Sequence, residues 1–161
     1  MIKKVVIDTP PGKILRLGLR LPIWLYRLHL DRLLGGRFLM LIHAGRKSGL
    51  PRQAVIEVVQ HDKATNTYYV VSAWGEKSDW YQNIRKSPRV TVYIGGHKLH
   101  AKAEFIPVGK AIDIMEAYAR KHSTAFGELS ALFLGERMQP GRDAARRLAE
   151  KMPMVAFHVH S

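Results

Sequence analysis

Between His43 and Gln53 the chain reads HAGRKSGLPRQ, which places Arg46, Lys47 and Arg52 around Ser48 and the two glycines Gly45 and Gly49. Guanidinium and ammonium groups match the oxygens of phosphate and carboxylate, and successive amides in a glycine-flanked turn form a concave nest for an anion. The chemistry offered is retention of an anionic group, with phosphate the natural guest. A solvated hairpin whose charges aid solubility accounts for the same residues. Arg46 stands before Lys47 where a nucleotide-triphosphate loop requires glycine, so GRKSG is not such a loop, and no G-x-S-x-G nucleophile elbow occurs. The histidine pairs His97/His100 and His158/His160 lack acidic or cysteine partners at ligand spacing, so no metal site is expected.

Composition bounds the function. The chain has 161 residues, with 26 Lys plus Arg against 13 Asp plus Glu and a formal charge of +13. One domain over 1–161 is expected, since chains of about 150 residues bury roughly 70% of their unfolded surface. The basic field attracts nucleic acid, acidic lipid or a phosphorylated small molecule. No zinc-finger spacing, RNP-type aromatic motif or recognition helix supports a nucleic-acid partner. Cysteine is absent, which excludes disulfides and thiolate catalysis.

The elements that must position these groups follow from pattern. In the N-terminal segment 1–34, Pro22 divides a helix ending at Arg20 from one spanning Ile23 to Leu34. Leu17, Leu21, Trp24 and Leu28 form an apolar stripe beside Arg16, Arg20 and Arg27. Such helices pack on their own domain or settle on anionic lipid. The longest uncharged run there, Leu21 to Tyr26, is far below the ~20 residues that span a bilayer, so the expected location is cytoplasmic, with peripheral membrane contact left open. Strands are expected at Phe38–Ala44, Ala54–Val59, Thr67–Trp74, Val90–Ile94, Lys98–Phe105 and Met154–Val159, with a hairpin at Gly95-Gly96. SDWYQNIRKSP reads as a short helix with Ser78 as N-cap, and further helices are expected at Lys110–Lys121, Phe126–Leu134 and Arg142–Lys151. Six mostly antiparallel strands with helices around them give class α+β and a small, partly closed barrel.

Two runs carry a resemblance: LMLIHAGRKSGLPRQAVIEVV, and YYVVSAWGEKSDWYQNIRKSPRVTVYIGG after it. Together they resemble the deazaflavin-dependent nitroreductase family, with its G-R-K-S/T-G-x-P-R turn and W-Y-x-N-L-x-x-x-P-x-V element. The likeness covers roughly Gly36 to Phe105 and implies the split β-barrel of flavin-binding oxidoreductases. It implies coenzyme F-420 as cofactor, with FMN as the alternative, and hydride transfer to a small organic acceptor such as a quinone, an enone or a nitro compound. A non-catalytic flavin or haem carrier on the same barrel is the rival reading.

By that resemblance, Gly45, Arg46, Lys47, Ser48, Gly49 and Arg52 contact the cofactor phosphate, Ser72, Ala73, Trp74 and Gly75 edge the ring system, and Trp80, Tyr81 and Asn83 close the site. The cofactor's polyglutamate tail gives the +13 charge a use beyond solubility. Where the family often has Ser-Lys-Gly-Gly, this chain has Ser72-Ala73-Trp74-Gly75. Deazaflavin chemistry needs no acid–base dyad from the protein, but the reduced acceptor needs a proton, for which Tyr118, His122 and solvent are the candidates. Related split barrels commonly pair, so a homodimer is compatible with the fold.

Overall fold

The computed structural model describes residues 38–160; the two expected N-terminal helices lie outside them. The strands are β1 (Phe38–Ala44), β2 (Pro51–Asp62), β3 (Thr67–Val71), β4 (Arg89–Ile94), β5 (His97–Phe105) and β6 (Met154–Val159). The helices are α1 (Asp79–Lys86), α2 (Val108–Lys121), α3 (Ser123–Leu134) and α4 (Arg142–Lys151), and a 3-10 turn at Gly75–Lys77 leads into α1. Every strand pair is antiparallel, and the ladder runs β1-β2-β3-β6-β5-β4 and back to β1. The barrel is therefore closed, a tighter arrangement than the partly closed one expected from the strand pattern.

Alternation along each strand makes two cores. Leu39, Leu41, Ile56, Tyr68, Val70, Val92 and Phe157 fill the barrel interior. Residues of opposite parity, Tyr69, Val71, Met154 and Ala156, face outward and meet Met115, Phe126, Leu148 and Met152 of the helical layer. This two-sided burial explains the near-continuous apolar runs of β1, β3 and β6. Helix α1 belongs to the interior core, since its Tyr81 and Ile84 are buried there.

Several boundaries differ from the sequence reading for identifiable reasons. Strand β2 starts at Pro51, three residues before the apolar run, because Arg52 and Gln53 pair with His43 and Ile42 while their side chains stay exposed. Strand β3 ends at Val71: the Ser72 amide donates to the Pro153 carbonyl and the Gly75 amide turns back to Ser72. Ser78 occupies the N-cap position of α1 without capping it through its side chain; its hydroxyl lies 2.9 Å from that of Ser72. The Gly95-Gly96 hairpin forms as expected, with φ of 56° and 82°, the left-handed region that a two-residue turn requires.

Candidate cofactor site

The β1–β2 turn is built from Gly45 to Leu50 and closed by its own backbone. Gly45 N–H donates to Leu50 O (2.9 Å), Gly49 N–H to Gly45 O (2.8 Å), and Leu50 N–H to Ser48 Oγ (3.2 Å). Gly49 has φ of 70°, and a Cβ on Gly45 would stand 2.9 Å from Ser48 Oγ, so both positions favour glycine. Among the described residues, these bonds leave the amides of Lys47 and Ser48 without acceptors and the Ser48 hydroxyl proton free to give. The nest is thus two adjacent amides and a hydroxyl, all on exposed residues.

The turn is anchored to α1 through one side chain. Buried Asn83 accepts from the Arg46 backbone N–H (3.0 Å) and from Arg46 Nη1 (3.0 Å) through Oδ1. Its Nδ2 donates to Nδ1 of His43 (3.0 Å), itself only 5% exposed. Asp79 takes the outer side of the Arg46 guanidinium (3.2 Å), and Lys86 Nζ donates to the Arg46 carbonyl (2.7 Å). Arg46 is therefore committed to α1. Lys47 and Arg52 are exposed and make no ion pair among the described residues, which leaves them as the cations available to a ligand.

Burial lowers the His43 pKa to about 4, Asp79 opposing the shift and Arg52 adding to it. Geometry agrees, because a proton on Nδ1 would face the Asn83 N–H. The folded pKa lies below the unfolded value of 6.5, so the stabilisation is complete above the unfolded pKa and is lost as pH falls from 6.5 toward 4. The expected loss is about 3 kcal/mol across that window, and a His43→Gln variant should lose the slope, as read by urea midpoints against pH.

The remaining expected residues occupy distinct places. Ser72 is fully buried, its Oγ 2.6 Å from the Gly75 carbonyl. Trp74 packs against the helical layer, edge-on to Phe133 at 6.0 Å, beside Ala73. Its Nε1 is a buried donor with no partner. Tyr81 lies in the barrel core, with Trp80 edge-on at 6.0 Å and the Arg85 guanidinium 5.0 Å above its ring. Tyr118 and His122 meet in a groove of about 1040 Å³ between β2 and the α2–α3 junction. There the Tyr118 hydroxyl donates to Glu57 Oε1 (2.9 Å), its ring 5.3 Å from that of His122. His61, stacked on Tyr68 at 3.9 Å, lines the same groove.

Sequence reasoning missed His43, Asp79, Glu57 and His61. His43 sat inside an apolar run, and its only signal was a polar residue at an inward position of a strand. Glu57 and His61 carried no motif; the groove they share with α2 is made by tertiary packing.

A family profile described as F420H(2)-dependent quinone reductase matches residues 27–130, spanning the turn, α1, the groove and most of the barrel. The chain belongs to this F420H(2)-dependent quinone reductase family. No curated protein matches it. Its fold is similar to that of an F420-H2 dependent reductase (16% identity, TM-score 0.50, 75% of this chain and 93% of that one). The heme storage protein HutZ of Vibrio cholerae (9% identity, TM-score 0.53, 84% and 89%) shares that fold. So does a pyridoxamine 5'-phosphate oxidase-related, FMN-binding protein of Nostoc punctiforme (14% identity, TM-score 0.52, 87% and 80%). Membership in the F420H(2)-dependent quinone reductase family assigns coenzyme F-420 as the cofactor and deazaflavin-dependent reduction as the activity. The residues fit a phosphorylated cofactor of this kind: two unpaired cations, two unbonded amides and one free hydroxyl converge on a single turn. No helix among the described residues is long and apolar enough to cross a membrane.

Proposed function

We propose that the protein transfers a hydride from reduced coenzyme F-420 to a small acceptor of the quinone, enone or nitro class, with a quinone preferred. The observation that carries this reading is that anion donors and groove lie along one strand. Six residues of β2 separate Pro51 at the turn from Glu57 in the groove, about 20 Å of extended chain. A long cofactor held by its phosphate at one end thereby has a walled groove in reach of the other.

When bound, the deazaflavin supplies a two-electron reductant whose reactive carbon suppresses oxygen chemistry. Lys47, Ser48, Gly49 and Arg52 would hold the phosphate, helped by the Lys47 and Ser48 amides, while Gly45, Arg46 and Asn83 fix the turn against α1. By the resemblance we assign Ala73, Trp74 and Gly75 to the ring edge and Trp80 to the α1 side, with buried Ser72 and Tyr81 supporting these segments from within. The Tyr118 phenol is engaged by Glu57, whereas His122 is exposed and lines the same groove. We assign proton delivery to His122 and positioning of the acceptor to Tyr118. Because water reaches the same place, His122→Asn should lower turnover only about tenfold, below the usual span for a general acid. We further infer a homodimer as the acting form, the pairing that related split barrels commonly adopt.

The test is to mix the protein with reduced coenzyme F-420 and a short-chain quinone, an enone or a nitroaromatic, following reappearance of the oxidised cofactor's absorbance. Fastest turnover with the quinone is expected. Tight cofactor binding without turnover of any acceptor would make the protein a carrier.

A further inference from the structure

A second open groove, of about 670 Å³, begins beneath Gly49 and descends the outer barrel wall over Arg89, Thr91, His100, Lys102 and His160. One wall comes from Ile42, His43, Ala44, Gly49 and Pro51 around the turn, the other from β4 and β5, whose register sets Arg89 directly opposite Lys102 and Thr91 opposite His100. Like charges in directly opposed positions destabilise a strand pair. Neither side chain of this pair makes an ion pair or hydrogen bond among the described residues. Glu104, two residues along on the same face of β5, is already bonded to His158 Nε2.

The donors also have a direction. Arg89 with Lys102, and Thr91 with His100, whose Nδ1 lies 3.4 Å from the Thr91 hydroxyl, form successive outward rows two residues apart, about 7 Å along the strands. His160, whose amide donates to the His100 carbonyl (2.9 Å), flanks the second row. Arg89, His100, Lys102 and His160 are all exposed. A single compact anion can satisfy one row only, whereas a chain carrying anionic groups at intervals can satisfy both.

We propose that the β4–β5 wall is a second anion site, adjoining the turn but built on its own cations, that binds an extended chain of carboxylates or phosphates. Its link to the turn at Gly49 makes the polyglutamate tail of coenzyme F-420 one source of such a chain, in which case the inference rests on the cofactor reading above. A free polyphosphate is the other source. Either chain lies across the two rows and offsets the Arg89/Lys102 repulsion.

Isothermal titration of the full chain with inorganic tripolyphosphate, and separately with linear tetraglutamate, tests the site. The double variant Arg89→Gln/Lys102→Gln should weaken both probes at least about tenfold, while Lys47→Gln/Arg52→Gln should change them less than about threefold. A readout on the wild-type chain guards against misfolding of the variant: tripolyphosphate should protect Lys102, but not Lys110, from acylation. Failure of the wild type to bind either probe, or equal binding by the groove variant, overturns the proposal. Coenzyme F-420 and its tail-less phosphate then separate the sources. A tail-dependent gain in affinity that vanishes in Arg89→Gln/Lys102→Gln identifies the cofactor tail, and equal affinities for the two forms identify a free chain. Loss of cofactor binding in Lys47→Gln/Arg52→Gln reports on the turn alone, so the two readings fail separately.

Discussion

A Lys47→Ala/Arg52→Ala variant is expected to lose at least about 100-fold in affinity for coenzyme F-420 while melting within a few degrees of the wild type. Each residue offers a charge-assisted hydrogen bond worth about 1.5–3 kcal/mol, and together they supply the cationic side chains of the turn not already bonded among the described residues. Folding should be nearly indifferent because both are exposed and neither has an ion-pair partner among the described residues. Arg46→Ala provides the contrast. Its guanidinium is held by Asp79 and Asn83, so its removal should cost stability as well as affinity. Cofactor titration by fluorescence, alongside thermal melts, reads both quantities. Unchanged affinity in the double variant would return the turn to the solvated hairpin allowed by the sequence.

Asn83→Ala should be the most destabilising single change at the site, by about 3 kcal/mol, because it strands a buried histidine and half of a guanidinium together. Asn83 joins the backbone and side chain of Arg46 to His43, so its loss also frees the turn from α1, and cofactor affinity should fall although Asn83 need not touch the ligand. Asn83→Asp separates the two ends of this network. An aspartate still accepts from Arg46 but cannot donate to His43, so His43 should instead take up a proton and its pKa should rise from about 4. Urea unfolding measures the first effect and the NMR titration of the His43 ring the second. A His43 that still titrates near 4 in Asn83→Asp would mean that burial alone sets its protonation.

The barrel was legible because its strands alternate over two cores. Phe38–Ala44 and Met154–Val159 match the expected spans, and the apolar runs marked the others to within a few residues. What pattern cannot register is a strand end carried by charged residues, as at Pro51-Arg52-Gln53, where ladder hydrogen bonds persist although no side chain is buried. At the site, the glycines and cations of the turn were readable because they are contiguous. Asn83 was named only through the W-Y-x-N resemblance and not as the anchor of the turn, since its partners His43 and Arg46 lie 40 and 37 residues away. Tyr118 showed the same ambiguity in both forms: an apolar helix face buries its ring, and only the fold brings its hydroxyl to Glu57, 61 positions earlier.

The position of β6 constrains how the chain is made. It is the last of the described strands to be synthesised, yet it sits between β3 and β5 in the barrel. Until Met154–Val159 has left the ribosome, the nascent chain carries two unpaired strand edges, on β3 and β5, facing a gap one strand wide. Open edges of this kind template pairing with other chains, and long-range pairings form late. A ribosome stalled shortly before Met154 would thus display a nearly complete barrel that accepts a strand from any neighbour, and prompt release of the last strand keeps these chains from sticking to one another during translation.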